Sequence, residues 1–434
     1  MKESKSSPKL ARAVSRWQIV GLSINDVVGS GVFLLPAAAA LLLGGASIWA
    51  VFLAGCAVAV LVLCFAEASS YFDEPGGAYL YTREAFGDFI GFEVGWMTWL
   101  ARVTSVASLS VGFAMASSYL WPEAAEGWVR ALVITVSLSF LTWVNIIGVK
   151  QGTKMAVFLT IAKSVPLIIF IVIGLFFVKW EFITTDIPPV TFESMSEVVL
   201  LLLFAYVGFE NTPAAAGEYK NPKKDVPFAL LIMVLLVTLI YTLVQFVAVG
   251  TYPALQQSES PLADSGAYFA GAGMALLMTI GAMVSIFGNV GNTTLIGPRY
   301  LYALAKDGYG FKALAKVHPR YRTPAVAILV QSGIALALAL SGSFVGLAML
   351  SIIARLATYV GTAAALPILR KRYPNNPNAI RLPGGYTIPV IALLICLVFL
   401  ISTTVENLIA GALALLVGGV IYFFRSKDKN ITEK

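Results

Sequence analysis

Two pentapeptides, Val28-Gly29-Ser30-Gly31-Val32 and Phe204-Ala205-Tyr206-Val207-Gly208, each interrupt an apolar run of membrane length, residues 17–43 and 196–217. Gly29 and Gly31 lay no side chain over their backbone, and Ser30 adds a hydroxyl. A helix opened here aims the first amides of the following half-helix at one point. The positive end of that half-helix dipole reinforces them, so the point suits a carboxylate. The half-helices that end near Val27 and Phe204 leave carbonyls unpaired, and these suit an ammonium group. An anion cradle beside a cation cradle fits an α-amino acid zwitterion. Phe204 and Tyr206 flank the second break, where an aromatic ring either covers a bound ligand or packs against lipid and core.

Ionisable residues inside apolar segments are costly and usually act. Lys163 lies too deep in its run to reach water, at a cost of about 2.5 to 3.5 kcal/mol on insertion scales. Its ammonium is expected to brace the opened carbonyls of the first break, to carry a proton if it titrates, or merely to pair with a carboxylate. Asp26 and Glu210 neighbour the two breaks and are candidates for proton coupling or for pairing with Arg102 or Lys163. Arg102 either faces a cavity and favours an anionic group or neutralises a carboxylate. Arg299 and Arg355 read as gate or assembly residues on the cytoplasmic side.

Other chemistries find no support. Cys56, Cys64 and Cys396 fall in apolar runs without metal-ligand spacing, and the one histidine, His318, sits in a hydrophilic loop. No glycine-rich phosphate loop ending in Lys-Ser/Thr appears, and no nucleophile and base share an apolar segment, so neither a cofactor, a metal nor an enzyme is expected.

The elements that position these residues are membrane spans. The 434 residues are 58% hydrophobic and 12% charged, with mean hydropathy +0.83, too little polar surface to cover a soluble globule of this size. Apolar runs starting near residues 17, 47, 89, 128, 155, 196, 227, 271, 324, 346, 387 and 407 predict twelve transmembrane helices. The first lacks a small-residue cleavage pattern and is read as retained. With both termini cytoplasmic, most of the 30 Lys and Arg fall on the inside, which places the protein in the plasma membrane and explains the net charge of +7 without nucleic acid.

The breaks occupy spans one and six. Pro36-Ala37-Ala38-Ala39 follows one and Pro213-Ala214-Ala215-Ala216 the other, with a Val-Gly pair before each. That correspondence predicts two five-span halves. Five is odd, so the second runs inverted. The expected divisions are a cytoplasmic tail at 1–16, a first repeat at 17–178, an inverted repeat at 195–370, helices eleven and twelve at 387–425, and a tail at 426–434.

Four segments resemble the amino acid-polyamine-organocation superfamily: Gly29-Ser30-Gly31-Val32-Phe33 with Leu34-Leu35-Pro36; Pro75-Gly76-Gly77-Ala78-Tyr79 through Phe86-Gly87; Phe204 to Glu210 with Lys220-Asn221-Pro222-Lys223-Lys224-Asp225-Val226-Pro227; and Tyr302-Ala303-Leu304-Ala305-Lys306-Asp307-Gly308. The resemblance implies the LeuT-like five-plus-five fold and sodium-independent secondary transport of amino acids or related amines. By position it implies that Gly29, Ser30 and Gly31 bind a substrate carboxylate, that Val27, Phe204, Ala205 and Val207 offer carbonyls to its amine, and that Phe204 gates. Gly208 belongs to the same substrate-binding turn. Ala101 and Arg102 match cavity-facing positions of span three, Lys163 a span-five lysine of proton-coupled and neutral amino acid exchangers, and Glu210 a span-six glutamate of arginine-agmatine exchangers. Arg102 replaces a small residue of that exchanger and Thr293 a tryptophan, which puts neutral amino acids ahead of acidic ones and both ahead of cationic amino acids or polyamines. An amino acid sensor that moves nothing is the alternative from another class. Partners beyond an amino acid, the lipid bilayer and protons are not indicated.

Overall fold

The computed structural model describes residues 14–73, 76–148, 153–185, 187–216, 219–374, 376 and 379–423. The tail expected at 426–434, nearly all of that at 1–16, and Pro75 lie outside them. Among the described residues the chain is all-helical, with a lone bridge between Val14 and Tyr219 as its only β-type pairing.

The helices in chain order are α1 (Arg16–Val27), α2 (Gly31–Leu43), α3 (Ser47–Ser70), α4 (Gly77–Phe86), α5 (Asp88–Ser118), α6 (Gly127–Ile147), α7 (Thr153–Gly174), α8 (Trp180–Thr184), α9 (Phe192–Tyr206), α10 (Asn211–Ala214), α11 (Pro222–Thr251), α12 (Pro261–Ala270), α13 (Ala272–Lys306), α14 (Ala325–Ser341), α15 (Phe344–Arg372), α16 (Thr387–Ile401) and α17 (Val405–Phe423). Nine helical segments among the described residues are long and apolar enough to cross a membrane, and α14 and α16 are shorter apolar helices. In lipid only a helix or a closed barrel satisfies every backbone group, which is why apolar runs of this length become helices.

Each helix sorts its faces by neighbour rather than by polarity. On α6, Leu132, Val136, Phe140 and Trp143 form an exposed stripe at helical spacing, while Ile134, Leu138 and Leu141 turn inward. On α17 only Gly418 is buried. The middle is built by α5 packed along α13 and α15, by α3 along α11, and by α1 against α7 and α11. Small residues allow close approach: a Cβ on Gly55 of α3 would fall 2.3 Å from the Thr238 side chain of α11.

Two places in this frame are not helical. After α1 the chain leaves helical geometry at Val28 and resumes at Gly31. At about 1.5 Å per residue, the twelve residues of α1 reach about 18 Å, short by themselves of the roughly 30 Å hydrocarbon core. The second interruption runs from Val207 to Glu210, between α9 and α10. It begins later than the sequence suggested, because Phe204, Ala205 and Tyr206 remain in α9. Gly208 supplies the turn with φ of +122°, a conformation that costs a residue with a Cβ. Pro213 follows at the third position of α10, where its missing amide removes no intrahelical bond.

Candidate functional site

The two breaks touch. A Cβ on Gly31 would lie 2.5 Å from Ala205 Cα, and one on Gly208 would lie 2.5 Å from the Asp26 carbonyl oxygen. Ser23 of α1 and Thr212 of α10 add a hydroxyl–hydroxyl hydrogen bond of 2.8 Å across the same seam. Glycine at positions 31 and 208 is thus what lets one opened backbone lie on the other.

At the first break the freed carbonyls are capped by donors from other helices. Lys163 of α7 is wholly buried, and its Nζ donates to the Asn25 carbonyl at 2.8 Å, the Val28 carbonyl at 2.8 Å and Asn289 Oδ1 at 2.9 Å. Ser285 Oγ donates to the Val28 carbonyl at 3.2 Å. All three acceptors of Lys163 are neutral, so its contacts are those of a brace on opened carbonyls and not of a lysine paired to a carboxylate. The Tyr241 hydroxyl of α11 lies 3.3 Å from the Val27 carbonyl and 3.1 Å from that of Ala205, sharing its proton between the ends of α1 and α9.

At the second break a carboxylate caps an amide. Glu210 Oε2 accepts from the Gly208 N–H at 2.9 Å, while its Oε1 accepts from Arg355 Nε at 2.8 Å and from Arg102 Nη2 at 3.2 Å. All three side chains are buried. Arg355 spends its other nitrogens on Ser351 Oγ, the Ser351 and Ala101 carbonyls, and Ser105 Oγ at 3.0 Å. This corrects the reading of Arg355 as a cytoplasmic-side gate or assembly residue: α15 turns it into the centre of the bundle. Arg299 is exposed on α13 and bonds its own helix at the Leu295 carbonyl.

Between the breaks lies a cavity of about 430 Å³, open solvent at its mouth included. Of the residues singled out from sequence, Asp26, Val27, Gly29, Ser30, Gly31, Arg102, Phe204, Val207, Gly208, Thr293 and Arg355 line it. Lys163 and Glu210 stand behind that lining, bonded to it. Ala101 is buried against Met97 and Ala354, and Ala205 faces Gly31 and Tyr241, so neither lines the cavity. Phe204 closes one side, its ring edge-on to Phe344 at 5.9 Å.

Sequence reading did not single out Ser105, Leu109, Asn211, Asn289 or Asn292, which also line the cavity, nor Tyr241, which ties the breaks together. Asn289 sits one helical turn before Thr293, itself a lining residue, so position relative to Thr293 was the available signal for it. Asp26 has a neutral partner, Asn292 Nδ2 at 2.5 Å. Chemically the cavity offers the first amides of α2, the Ser30 hydroxyl, two guanidiniums, the Asp26 carboxyl and several side-chain amides, with an aromatic ring as cover.

A family model described as Amino acid permease matches residues 14–424 of this chain. The Branched-chain amino acid permease BcaP of Bacillus subtilis (strain 168) is 28% identical over 453 residues, covering 96% of this chain and 94% of the relative. The Serine/threonine exchanger SteT of the same organism is 30% identical over 407 residues, covering 92% of each. The Methylthioribose transporter of that organism is 27% identical, covering 99% of this chain and 96% of the relative.

Proposed function

The chain belongs to the amino acid permease family, a family of transporters and not of enzymes, and from that premise we propose that it moves an amino acid across the plasma membrane by alternating access, as an exchanger or proton symporter independent of sodium. The observation that carries this reading is the pair of opened helices laid against each other with a cavity between them. Irregular backbone at membrane depth is tolerated where it lines a cavity, and secondary transporters place their substrate at such paired breaks.

On this reading the substrate carboxylate sits on the amides and hydroxyl of Gly29, Ser30 and Gly31, at the start of α2. Its ammonium faces the far wall, where Val207 and Phe204 present the end of α9 and Asp26 supplies negative charge. Phe204 is the gate. Lys163 supplies the positive charge beside the opened carbonyls that a sodium ion would otherwise supply, which supports sodium independence. The twelve spans are α1 with α2, then α3, α5, α6, α7, α9 with α10, α11, α13, α14, α15, α16 and α17. The first ten form the two inverted halves, both termini are cytoplasmic, and Asp26 and Lys163 are the candidates for proton coupling.

Family membership leaves the side-chain class open, since relatives of nearly equal identity bear the names of a branched-chain permease, a serine/threonine exchanger and a methylthioribose transporter. The test is counterflow of labelled amino acids in proteoliposomes, with and without proton and sodium gradients. Saturable, sodium-insensitive exchange of an amino acid is expected; absence of flux for every amino acid under all gradients would sink the proposal.

A further inference from the structure

The charges around the cavity do not balance. Glu210 is one carboxylate against two guanidiniums, and Arg355 already satisfies it: its Nε is 2.8 Å from Oε1, its other nitrogens are taken by α5 and α15, and Oε2 holds the Gly208 amide. Arg102 approaches the same Oε1 from 3.2 Å and also meets the Tyr300 side chain; both arginines line the cavity, and Glu210 does not. It is 2% exposed, and among the described residues its Nε–H has no hydrogen-bond partner. The Ser30 hydroxyl, also buried and also in the lining, lacks one too. At the first break Asp26 and Lys163 are one negative and one positive group, so in the net count they do not offset the second arginine.

A buried guanidinium that shares its carboxylate with a second cation, keeps one donor open and lines a cavity favours a further anion there. A zwitterion spends its single carboxylate at the α2 end and brings an ammonium besides, so it adds no second anion for the two arginines that share Glu210. A cationic side chain would add a like charge. Building on the transport reading, we infer that the substrate is an amino acid with a second carboxylate, its side-chain anion received by the Arg102 guanidinium while its α-carboxylate lies on Gly29, Ser30 and Gly31. Arg102 is then the specificity-determining residue, and Arg355 holds Glu210 so that Arg102 stays available. A guanidinium presents parallel donors that match a carboxylate and mismatch an amide, whose NH₂ group would point at them.

The experiment is counterflow in proteoliposomes of the full chain, with glutamate and aspartate set against glutamine and asparagine, their near-isosteric amides, and against leucine and serine. The expected result is that one of the two acids exchanges with a KM at least tenfold below that of its amide. In Arg102→Gln that ratio should fall to near one; should this variant not fold, the wild-type ratio decides by itself. Exchange in which an amide or an apolar amino acid equals or surpasses the acids overturns the inference and leaves amino acid transport standing. Absence of exchange for any amino acid overturns both.

Discussion

Each helix break is braced by a buried cation from a later helix, yet the two braces meet opposite kinds of partner. Lys163 of α7 donates to two main-chain carbonyls and one side-chain amide oxygen at the first break. Arg355 of α15 meets a carboxylate at the second, and that carboxylate in turn accepts from a main-chain amide of the turn itself. The difference follows from which end of a helix is left open. A helix that stops leaves carbonyls, which a donor from elsewhere can cap directly. The Val207–Glu210 turn presents an amide at Gly208 instead, so an acceptor must come first and a cation must then answer the acceptor. In the five-plus-five arrangement proposed above, α7 and α15 are the fifth members of their halves. The same position of the repeat thus braces the first helix of its half in both cases.

The comparison makes ordered predictions for thermal stability of the purified protein. The largest effect is expected at the charged brace: Glu210→Ala strands two buried guanidiniums and should cost about 4 kcal/mol. Lys163→Met removes a charge but leaves only neutral acceptors unpaired, so a smaller loss, about 3 kcal/mol, is expected. The same substitution should abolish counterflow or its dependence on a proton gradient, and an unchanged gradient dependence would remove Lys163 from the coupling scheme. If Lys163→Met proves costlier than Glu210→Ala in denaturation scans, the distinction between the braces collapses.

Two further substitutions probe the seam. Gly208→Ala forces a Cβ to 2.5 Å from the Asp26 carbonyl at positive φ, and overpacking of this kind should cost about 2 kcal/mol and lower exchange. A neutral effect would mean that the breaks are free to separate. The smallest change is expected for Tyr241→Phe, which deletes one shared proton between Val27 and Ala205 for about 1 kcal/mol. Its loss should be visible as a lowered melting temperature with substrate affinity changed far less than in Arg102→Gln.

Much of the site was legible in the chain before any coordinates. Gly29, Ser30 and Gly31 announce an opened helix because two glycines so close together leave the backbone uncovered and free to depart from helical geometry, and the cavity lies on them. Lys163 stood out because an ammonium deep in an apolar run is costly wherever it points. Arg355 did not: with Arg370, Lys371 and Arg372 in the same helix, it read as one more cytoplasmic-side cation. Tyr241 and the asparagines of α13 gave no signal, since polar residues of moderate size are unremarkable in a long helix.

What the sequence by itself determined is local: the membrane class of the protein, the apolar runs that must be helical, and the points where glycine lets a helix open. Those follow from the cost of unpaired backbone in lipid, a cost that each segment bears alone. The tertiary structure alone decided which break lies on which, that Arg102 and Arg355 converge on Glu210 from helices 108 and 145 residues away, and that Ala101 and Ala205 turn aside from the cavity. Partners of that kind depend on how whole helices rotate about their axes as they pack, and the residue order of one helix does not name the side chain on another that it will meet.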